Sequence, residues 1–232
     1  MTTIEDPVEH LAPGVDQTEV DPVAGRTYSS GLHAILRSDP DVILVGEIRE
    51  NDTAQLAVRA ALTGCLVLSA LRVESAAAAA QRLMNIGVEP GLVGATLTCV
   101  IAQRLVRRIC PDCRESCYAT AAELAELERA PGEVGRRLLA RGRGCAACGG
   151  TGYRGRVAIF EVLTVTEEIR ELVTRRASTA EIQHAAIASG MRTLREDGIR
   201  LCLEGITTAA ELQRVAGDWA AQKATRGLKP VP

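Results

Sequence analysis

DPDVILVGEIRE, residues 39–50, is the stretch that decides the fold. Its four apolar residues, Val42–Val45, form the continuous run that is typical of a buried strand, and Gly46 and Glu47 follow at once. Ligands of open parallel sheets bind beyond the carboxyl ends of the strands. The sequence therefore predicts that Glu47 lies where such a ligand would bind.

The segments around this strand predict an α/β fold with a parallel sheet. A helix should follow, capped by Asn51, Asp52 or Thr53 and ended by Gly64, and a second buried strand should cover residues 65–71. Further helices are predicted at residues 31–38, 74–86 (ended by Gly87), 91–109 and 121–140 (interrupted at Pro131 and Gly132). A strand at 156–163 and three short helices should complete the chain, with capping boxes at Ser178/Glu181 and Thr208/Glu211.

The composition sets limits on the class of protein. The 232 residues carry a net charge of −2 with a pI near 6.0, which argues against a nucleic-acid binder or a polybasic membrane anchor. No uncharged run reaches the roughly 18 to 20 residues that a membrane span needs, and the acidic N-terminus does not resemble a signal peptide. We therefore expect a cytoplasmic protein, whose cysteines are metal ligands or buried thiols.

Four of the eight cysteines have metal-ligand spacing. Cys110 and Cys113 form one C-x-x-C pair, Cys145 and Cys148 form another, and 31 residues separate the two pairs. Two such turns can supply the four thiolates of a closed, tetrahedral zinc site with a structural role. Of the other cysteines, Cys117 is predicted to be a spare thiol and the rest to be packing residues.

Six segments, in chain order, closely resemble the type II secretion protein E and type IV pilus assembly ATPases. They are TIEDPVE (3–9), LRSDPDVILVGEIRE (36–50), ALTGCLVLSAL (61–71), MNIGVEP (84–90), AQRLVRRICPDC (102–113) and CAACGGTGYRGRVAIFEVL (145–163). The resemblance implies a partial RecA-like ATPase domain over residues 1–109, a tetracysteine zinc module over 110–156 and a mainly helical C-terminal subdomain over 157–232.

The same resemblance implies roles for individual residues. TIEDPVE is similar to the family's Asp box, so Glu5 would be the general base that activates water, with Asp6 and Glu9 supporting the site. VGEIR is similar to its Walker B segment, so Glu47 would hold Mg²⁺, through water, and Arg49 would brace the site. The cysteines Cys110, Cys113, Cys145 and Cys148 fall where the family has its zinc ligands.

The resemblance also implies a motor. Members of this family hydrolyse ATP, form hexameric rings on the cytoplasmic face of the inner membrane and drive pseudopilus or pilus assembly together with a membrane platform protein. The expected cofactors are therefore ATP, Mg²⁺ and structural zinc, and the expected partners are related ATPase subunits and a platform protein.

Two departures from the family lead to a different expectation for activity. The sequence contains no phosphate loop of the form G-x-x-x-x-G-K-[ST], which the family has upstream of its Asp box. In the segment similar to the His box, Cys65 and Arg72 stand where the family has histidines, and Ala70 replaces a threonine. We therefore expect a truncated chain that is inactive alone, whose incomplete sheet exposes apolar edges that need a partner chain or a longer protein.

Two other interpretations remain open, and a third is not expected. The chain could be a noncatalytic, zinc-containing interaction subunit that joins or regulates an active hexamer, which the His-box losses favour. CAACGGTG, residues 145–152, resembles one unit of a DnaJ-type zinc finger, although that family repeats the unit several times. Arginines flank the cysteine module, but no aromatic residues are interleaved for base stacking, so nucleic-acid binding is not expected.

Overall fold

The computed structural model describes residues 1–216, which fall into two compact units. Unit 1 consists of Met1–Val100 and Val162–Met191, and unit 2 consists of Ile101–Glu161 and the chain from Arg192 onward. The three predicted domains are named by expected role and do not correspond to these two units. Their boundaries at residues 109 and 156 therefore stay a prediction. The predicted C-terminal subdomain, 157–232, extends past the described residues.

A four-stranded parallel sheet forms the centre of unit 1. Its strands are β1 (Thr2–Glu5), β2 (Asp16–Glu19), β3 (Val42–Val45) and β4 (Leu66–Ser69), in the spatial order β2-β1-β3-β4. Ile4, Ile43 and Val45 are fully buried in this sheet. The predicted α/β fold is thus confirmed, with β3 at the predicted residues. The strands β1 and β2 were not predicted, because their short, polar sequences lack an apolar run.

Helices α1 to α3 accompany this sheet in unit 1. They are α1 (Tyr28–Ile35), continued by a 3₁₀ turn, α2 (Asn51–Leu62) and α3 (Ala78–Ile86). Gly31 allows α1 to approach β1 closely, since a Cβ there would stand only 2.3 Å from Ile4 Cδ1. The predicted side-chain cap of α2 is wrong: the N-cap is Glu50, and its side chain makes no capping bond. Gly87, with φ of 111°, ends α3 as predicted.

Two predictions for the middle of the chain differ in part from the structure. The strand β4 is not buried, with Leu66 53% and Leu68 42% exposed, because it is an edge strand of the described sheet. The helix predicted within 91–109 is α4 (Pro90–Thr96), but it is short, and the rest of that range forms β5 (Cys99–Ile109). The helix ends because Leu97 is extended, and burial along much of β5 alternates as it does in a half-exposed strand.

After the cysteine module the chain continues in unit 2 and returns to unit 1 at Val162, within β8 (Tyr153–Thr164). This strand pairs with β5, which confirms the predicted strand at 156–163. Helices α6 (Glu167–Thr174) and α7 (Thr179–Ala188) follow, and Arg170 Nη1 donates to the Gly94 carbonyl at 2.7 Å to join α6 to α4. The predicted Ser178/Glu181 capping box begins α7.

Unit 2 contains the antiparallel pair β6 (Arg114–Tyr118) and β7 (Leu138–Gly142) and helix α5 (Ala121–Glu126) between them. The helix predicted at 121–140 is wrong beyond Glu126, because Glu128 has a positive φ of 56° and Pro131 begins a separate 3₁₀ turn. The helices α8 (Leu194–Leu203) and α9 (Ala209–Ala216) complete the described chain. Four helices therefore follow β8 within residues 1–216, one more than predicted.

The second predicted capping box is only half formed. Thr208 Oγ1 accepts from the backbone N–H of Glu211 at 3.2 Å, but the Glu211 carboxylate turns to arginines instead. Arg107 Nε donates to it at 2.8 Å and Arg214 Nη2 at 2.6 Å, and the Glu211 side chain is fully buried. This carboxylate joins α9 to β5 within unit 2. No helix in residues 1–216 is both long and apolar enough to cross a membrane.

Candidate functional site

The four acidic residues singled out in the sequence lie around one cavity of unit 1. Glu5 ends β1 and Asp6 follows it, while Glu47 comes two residues after β3, so the carboxyl ends of two paired strands bring them together. The cavity has a volume of about 270 Å³, and Glu9 also lines it. An adjoining cavity of about 190 Å³ is lined by Asp6, Glu47 and Arg49. The predicted residues are therefore neighbours, while their roles stay predictions.

Glu5 is held in place by two hydrogen bonds to one oxygen. Thr3 Oγ1 donates to Glu5 Oε1 at 2.6 Å, and Gln17 Nε2 donates to the same atom at 3.1 Å. These bonds hold the pKa of the Glu5 carboxyl below its ordinary value, so the group is ionised at neutral pH. Oε2 accepts neither of these bonds. A lowered pKa makes Glu5 a weaker base than one tuned close to neutrality.

Two arginines contact Glu47, one at each carboxylate oxygen. Arg49 Nη2 forms an ion pair with Oε1, and Arg72 Nε lies 3.6 Å from Oε2. The Glu47 side chain is 17% exposed, whereas that of Arg72 is 81% exposed and is therefore a weakly held partner. The resemblance implied that Arg49 braces the site, and its contact with Glu47 is consistent with that role. The contact of Arg72 was not predicted.

Two further residues line the cavity without having been predicted from the sequence. His10 lies at its wall, and its backbone carbonyl accepts from Gln17 Nε2 at 3.0 Å. Tyr28, the first residue of α1, lines both cavities. Burial raises the pKa of the Tyr28 hydroxyl, and the charges of Glu47 and Asp6 raise it further. Nothing in the local sequence pattern of Tyr28 distinguishes it from a packing residue.

The acidic cavity suits a hard divalent cation. Mg²⁺ prefers oxygen ligands, keeps several of its waters and binds through one or two carboxylates, which Glu47 and its neighbours can supply. When bound beside a nucleotide, Mg²⁺ neutralises charge on the phosphates. The phosphates themselves need a cradle of backbone N–H groups, and the sequence contains no phosphate-loop motif to supply one.

The four predicted cysteine ligands meet at one point in unit 2. All four sulfur atoms lie within 4.8 Å of one another. The Sγ–Sγ distances are 3.9 Å for Cys110–Cys145, 3.9 Å for Cys113–Cys148 and 3.8 Å for Cys145–Cys148. A tetrahedral ion with Zn–S bonds of about 2.3 Å separates its sulfurs by about 3.8 Å. The donor set and the spacing therefore fit a closed four-thiolate metal site.

Backbone N–H groups surround these sulfurs. Gly144 N donates to Cys113 Sγ at 3.3 Å, and Gly152 N donates to Cys148 Sγ at 3.2 Å. The hydrogen bond from Cys145 N and, to a smaller extent, that from Gly152 N lower the pKa of the Cys148 thiol to about 6. Burial raises the pKa of the Cys113 thiol to about 12. The free thiols Cys65, Cys99, Cys117 and Cys202 are not part of this cluster.

Comparisons with known proteins identify relatives of this chain. The family model described as "Type II/IV secretion system protein" matches residues 1–214. The chain is 48% identical over 210 residues to the type IV pilus assembly ATPase PilB of Thermus thermophilus, covering 90% of the chain and 24% of that protein. It is 45% identical to the type II secretion system protein E of Pseudomonas aeruginosa, covering 92% of the chain and 42% of that protein.

Solved structures show the same fold. The pilus retraction motor PilT with bound ADP has a TM-score of 0.64 at 25% identity, covering 92% of the chain and 51% of PilT. The Legionella pneumophila ATPase DotB has a TM-score of 0.61 at 19% identity, which is evidence for the fold alone. The chain spans less than half the length of the two curated relatives named above. Since the family model covers nearly all of it, the chain belongs to the type II/IV secretion system protein family.

Proposed function

We propose that this chain is part of a motor ATPase that drives type II secretion or type IV pilus assembly. The observation that carries the proposal is the meeting of Glu5, Asp6, Glu9 and Glu47 around one cavity, at the carboxyl ends of paired parallel strands, in a member of this family. Such a cavity is where a parallel sheet binds its ligand. The chain would supply the acidic half of a nucleotide site, and the phosphates require a loop that these 232 residues do not contain.

The proposed division of roles follows the contacts of each acid. Glu47, with one oxygen held by Arg49, handles Mg²⁺ through water. Glu5, fixed by Thr3 and Gln17 and ionised at neutral pH, accepts a proton from the attacking water through Oε2. Asp6 and Glu9 add negative charge around the cation.

The cysteine cluster is proposed to hold a structural Zn²⁺. Four protein thiolates leave no open coordination position for a substrate or an attacking water. The proposed assembly is a hexameric ring of related subunits, at the cytoplasmic face of the inner membrane, that contacts a platform protein. The family membership supports this assembly.

A domain replacement tests the proposed function. This chain would replace the matching part of the type IV pilus ATPase PilB of T. thermophilus, whose remaining sequence would be kept intact. We expect the chimera to bind and hydrolyse ATP, because its acids would complete the nucleotide site. A folded chimera that binds ATP but does not hydrolyse it would contradict the proposal.

A second candidate function is a noncatalytic subunit that joins or regulates an active ring. The specific observation in its favour is Arg72, which takes the place of a family histidine and lies 3.6 Å from Glu47 Oε2. A cation at this oxygen competes with Mg²⁺ for the same negative charge. The chimera separates the two candidates, since a chain of this second kind would bind ATP in the ring and leave it unhydrolysed.

A further inference from the structure

Tyr28 places a hydroxyl group at the junction of the two strands that carry the candidate catalytic acids. A methyl group built on Gly46 would stand 3.0 Å from Tyr28 Oη, 3.3 Å from the carbonyl oxygen of Ile4 and 3.4 Å from the Cα of Glu5. The hydroxyl is therefore packed over Gly46, between Glu5 on one strand end and Glu47 on the other.

The Tyr28 hydroxyl has no protein hydrogen-bond partner within residues 1–216. The ring is fixed at the start of α1, whose Thr27 N-cap accepts from Ser30 N at 3.1 Å. Tyr28 also lines both the 270 Å³ cavity and the adjoining 190 Å³ cavity, together with Asp6 and Glu47. A tyrosine hydroxyl usually bonds to a partner, and a water or ligand in either cavity can supply one to this half-buried side chain.

We propose that Tyr28 is a positioning residue whose hydroxyl holds a water molecule of the divalent cation that Glu47 handles. Mg²⁺ keeps most of its waters when carboxylates bind it, and those waters donate hydrogen bonds to nearby acceptors. The phenolic oxygen can accept from such a water while its O–H donates to a carboxylate or a second water. This inference rests on the proposed function, because it assigns Tyr28 to the same cation.

Binding of Mn²⁺ to the full chain tests the inference, with Mn²⁺ as the probe for the cation. The variants are Tyr28→Phe, which keeps the ring and removes the hydroxyl, Tyr118→Phe as the matched control in unit 2, and Glu47→Gln. Losing an outer-shell partner typically weakens metal binding by 10- to 100-fold. We expect Tyr28→Phe to weaken Mn²⁺ binding by about 10-fold, Tyr118→Phe to leave it unchanged and Glu47→Gln to abolish it.

A spectroscopic measurement separates positioning from packing. With 3-fluorotyrosine in the chain, Mn²⁺ should broaden the ¹⁹F resonance of Tyr28 at lower concentration than those of Tyr118 and Tyr153. Thermal unfolding of Tyr28→Phe should match that of the unsubstituted chain.

The outcomes distinguish the inference from the proposed function. If Tyr28→Phe binds Mn²⁺ as tightly as the unsubstituted chain while Glu47→Gln does not bind, the inference is overturned and the proposed function stands. If Glu47→Gln binds unchanged, or if the unsubstituted chain shows no saturable binding, the inference is overturned, and ATP hydrolysis by the PilB chimera decides the proposed function separately.

Discussion

Arg72 places a positive charge 3.6 Å from Glu47 Oε2, where it opposes the binding of a cation. Its side chain is largely exposed, so its interaction with Glu47 is of the weak surface class, worth about 0.2 to 1 kcal/mol. We predict that Arg72→Ala raises the affinity of the chain for Mn²⁺ by up to about five-fold, as titration calorimetry can measure. Arg82→Ala, an exposed arginine on α3, is the control and should change nothing. Equal affinities for Arg72→Ala and the unsubstituted chain would show that Arg72 does not screen Glu47.

At the residue scale the sequence was informative where chemistry is tied to spacing. Glu47 could be singled out because it follows a predicted strand, Glu5 because TIEDPVE resembles the family's Asp box, and the C-x-x-C pairs because thiolate spacing is restrictive. The positions of Tyr28 at the cavity and of Arg72 beside Glu47 could not be predicted, since each depends on the packing of an element distant in sequence from Glu47. Their positions depend on how α1 packs on Ile4 and on the loop after β4.

The cysteine module is the element whose integrity is predicted to depend on metal. We predict that the chain contains one zinc ion and that Cys148→Ser removes most of it, as metal analysis would show. Cys117→Ser is the matched control, because this thiol lies on β6 outside the cluster, and it should retain the metal.

Acid should release the same ion. Protons compete for thiolate ligands, so the metal content should fall as the pH is lowered from neutrality. A chain that keeps its metal after Cys148→Ser, or that loses it equally after Cys117→Ser, would contradict the assignment of the four ligands.

Helix α9 is the element whose attachment to β5 depends on one buried carboxylate. Burial raises the pKa of Glu211, but hydrogen bonds from Arg214 and Arg107 outweigh it and lower the pKa to about 2, from an ordinary value of 4.5. A lowered folded-state pKa gives stability that is fully present above about pH 4.5 and is lost as the pH falls toward 2. We predict that Glu211→Gln lowers the free energy of unfolding of unit 2 by about 3 kcal/mol at pH 7.

This loss in the free energy of unfolding can be measured by denaturant unfolding that is monitored through the hydrogen exchange of the backbone amides of β5. Glu204→Gln is the control, because the Glu204 side chain is 45% exposed and its ion pair with Arg200 lies at the surface. If Glu211→Gln lowers the free energy of unfolding no more than Glu204→Gln does, the Glu211 carboxylate does not hold α9 on β5.

At the element scale, apolar runs predicted the positions of the strands β3 and β4 but not the burial of β4. Val42–Val45 lies between β1 and β4 and formed the predicted strand. A helix was predicted within residues 91–109, but residues 99–109 form a strand. Pairing with β8 decided in favour of a strand, and single-segment patterns do not contain that information.

For the whole molecule, the exposed edge of the sheet at β4 has a consequence for solubility. Leu66 and Leu68 lie on the same face of an edge strand of the described sheet, which offers unpaired backbone groups beside apolar surface. We predict that the chain self-associates with rising concentration and that the double substitution Leu66→Lys, Leu68→Lys suppresses this in light scattering. Leu62→Lys, on the exposed end of α2, is the control. Persistent association of the double variant would mean that another surface is responsible.

The ATP hydrolysis rate of the PilB chimera carrying Glu47→Gln tests the central claim most directly. If Glu47 handles the cation of a nucleotide site, this substitution should lower the rate by about 100-fold or more, because charge neutralisation at the phosphates is lost. Glu89→Gln, an exposed carboxylate of the same unit, should leave the rate unchanged. A chimera that hydrolyses ATP equally fast with and without Glu47→Gln would contradict the account.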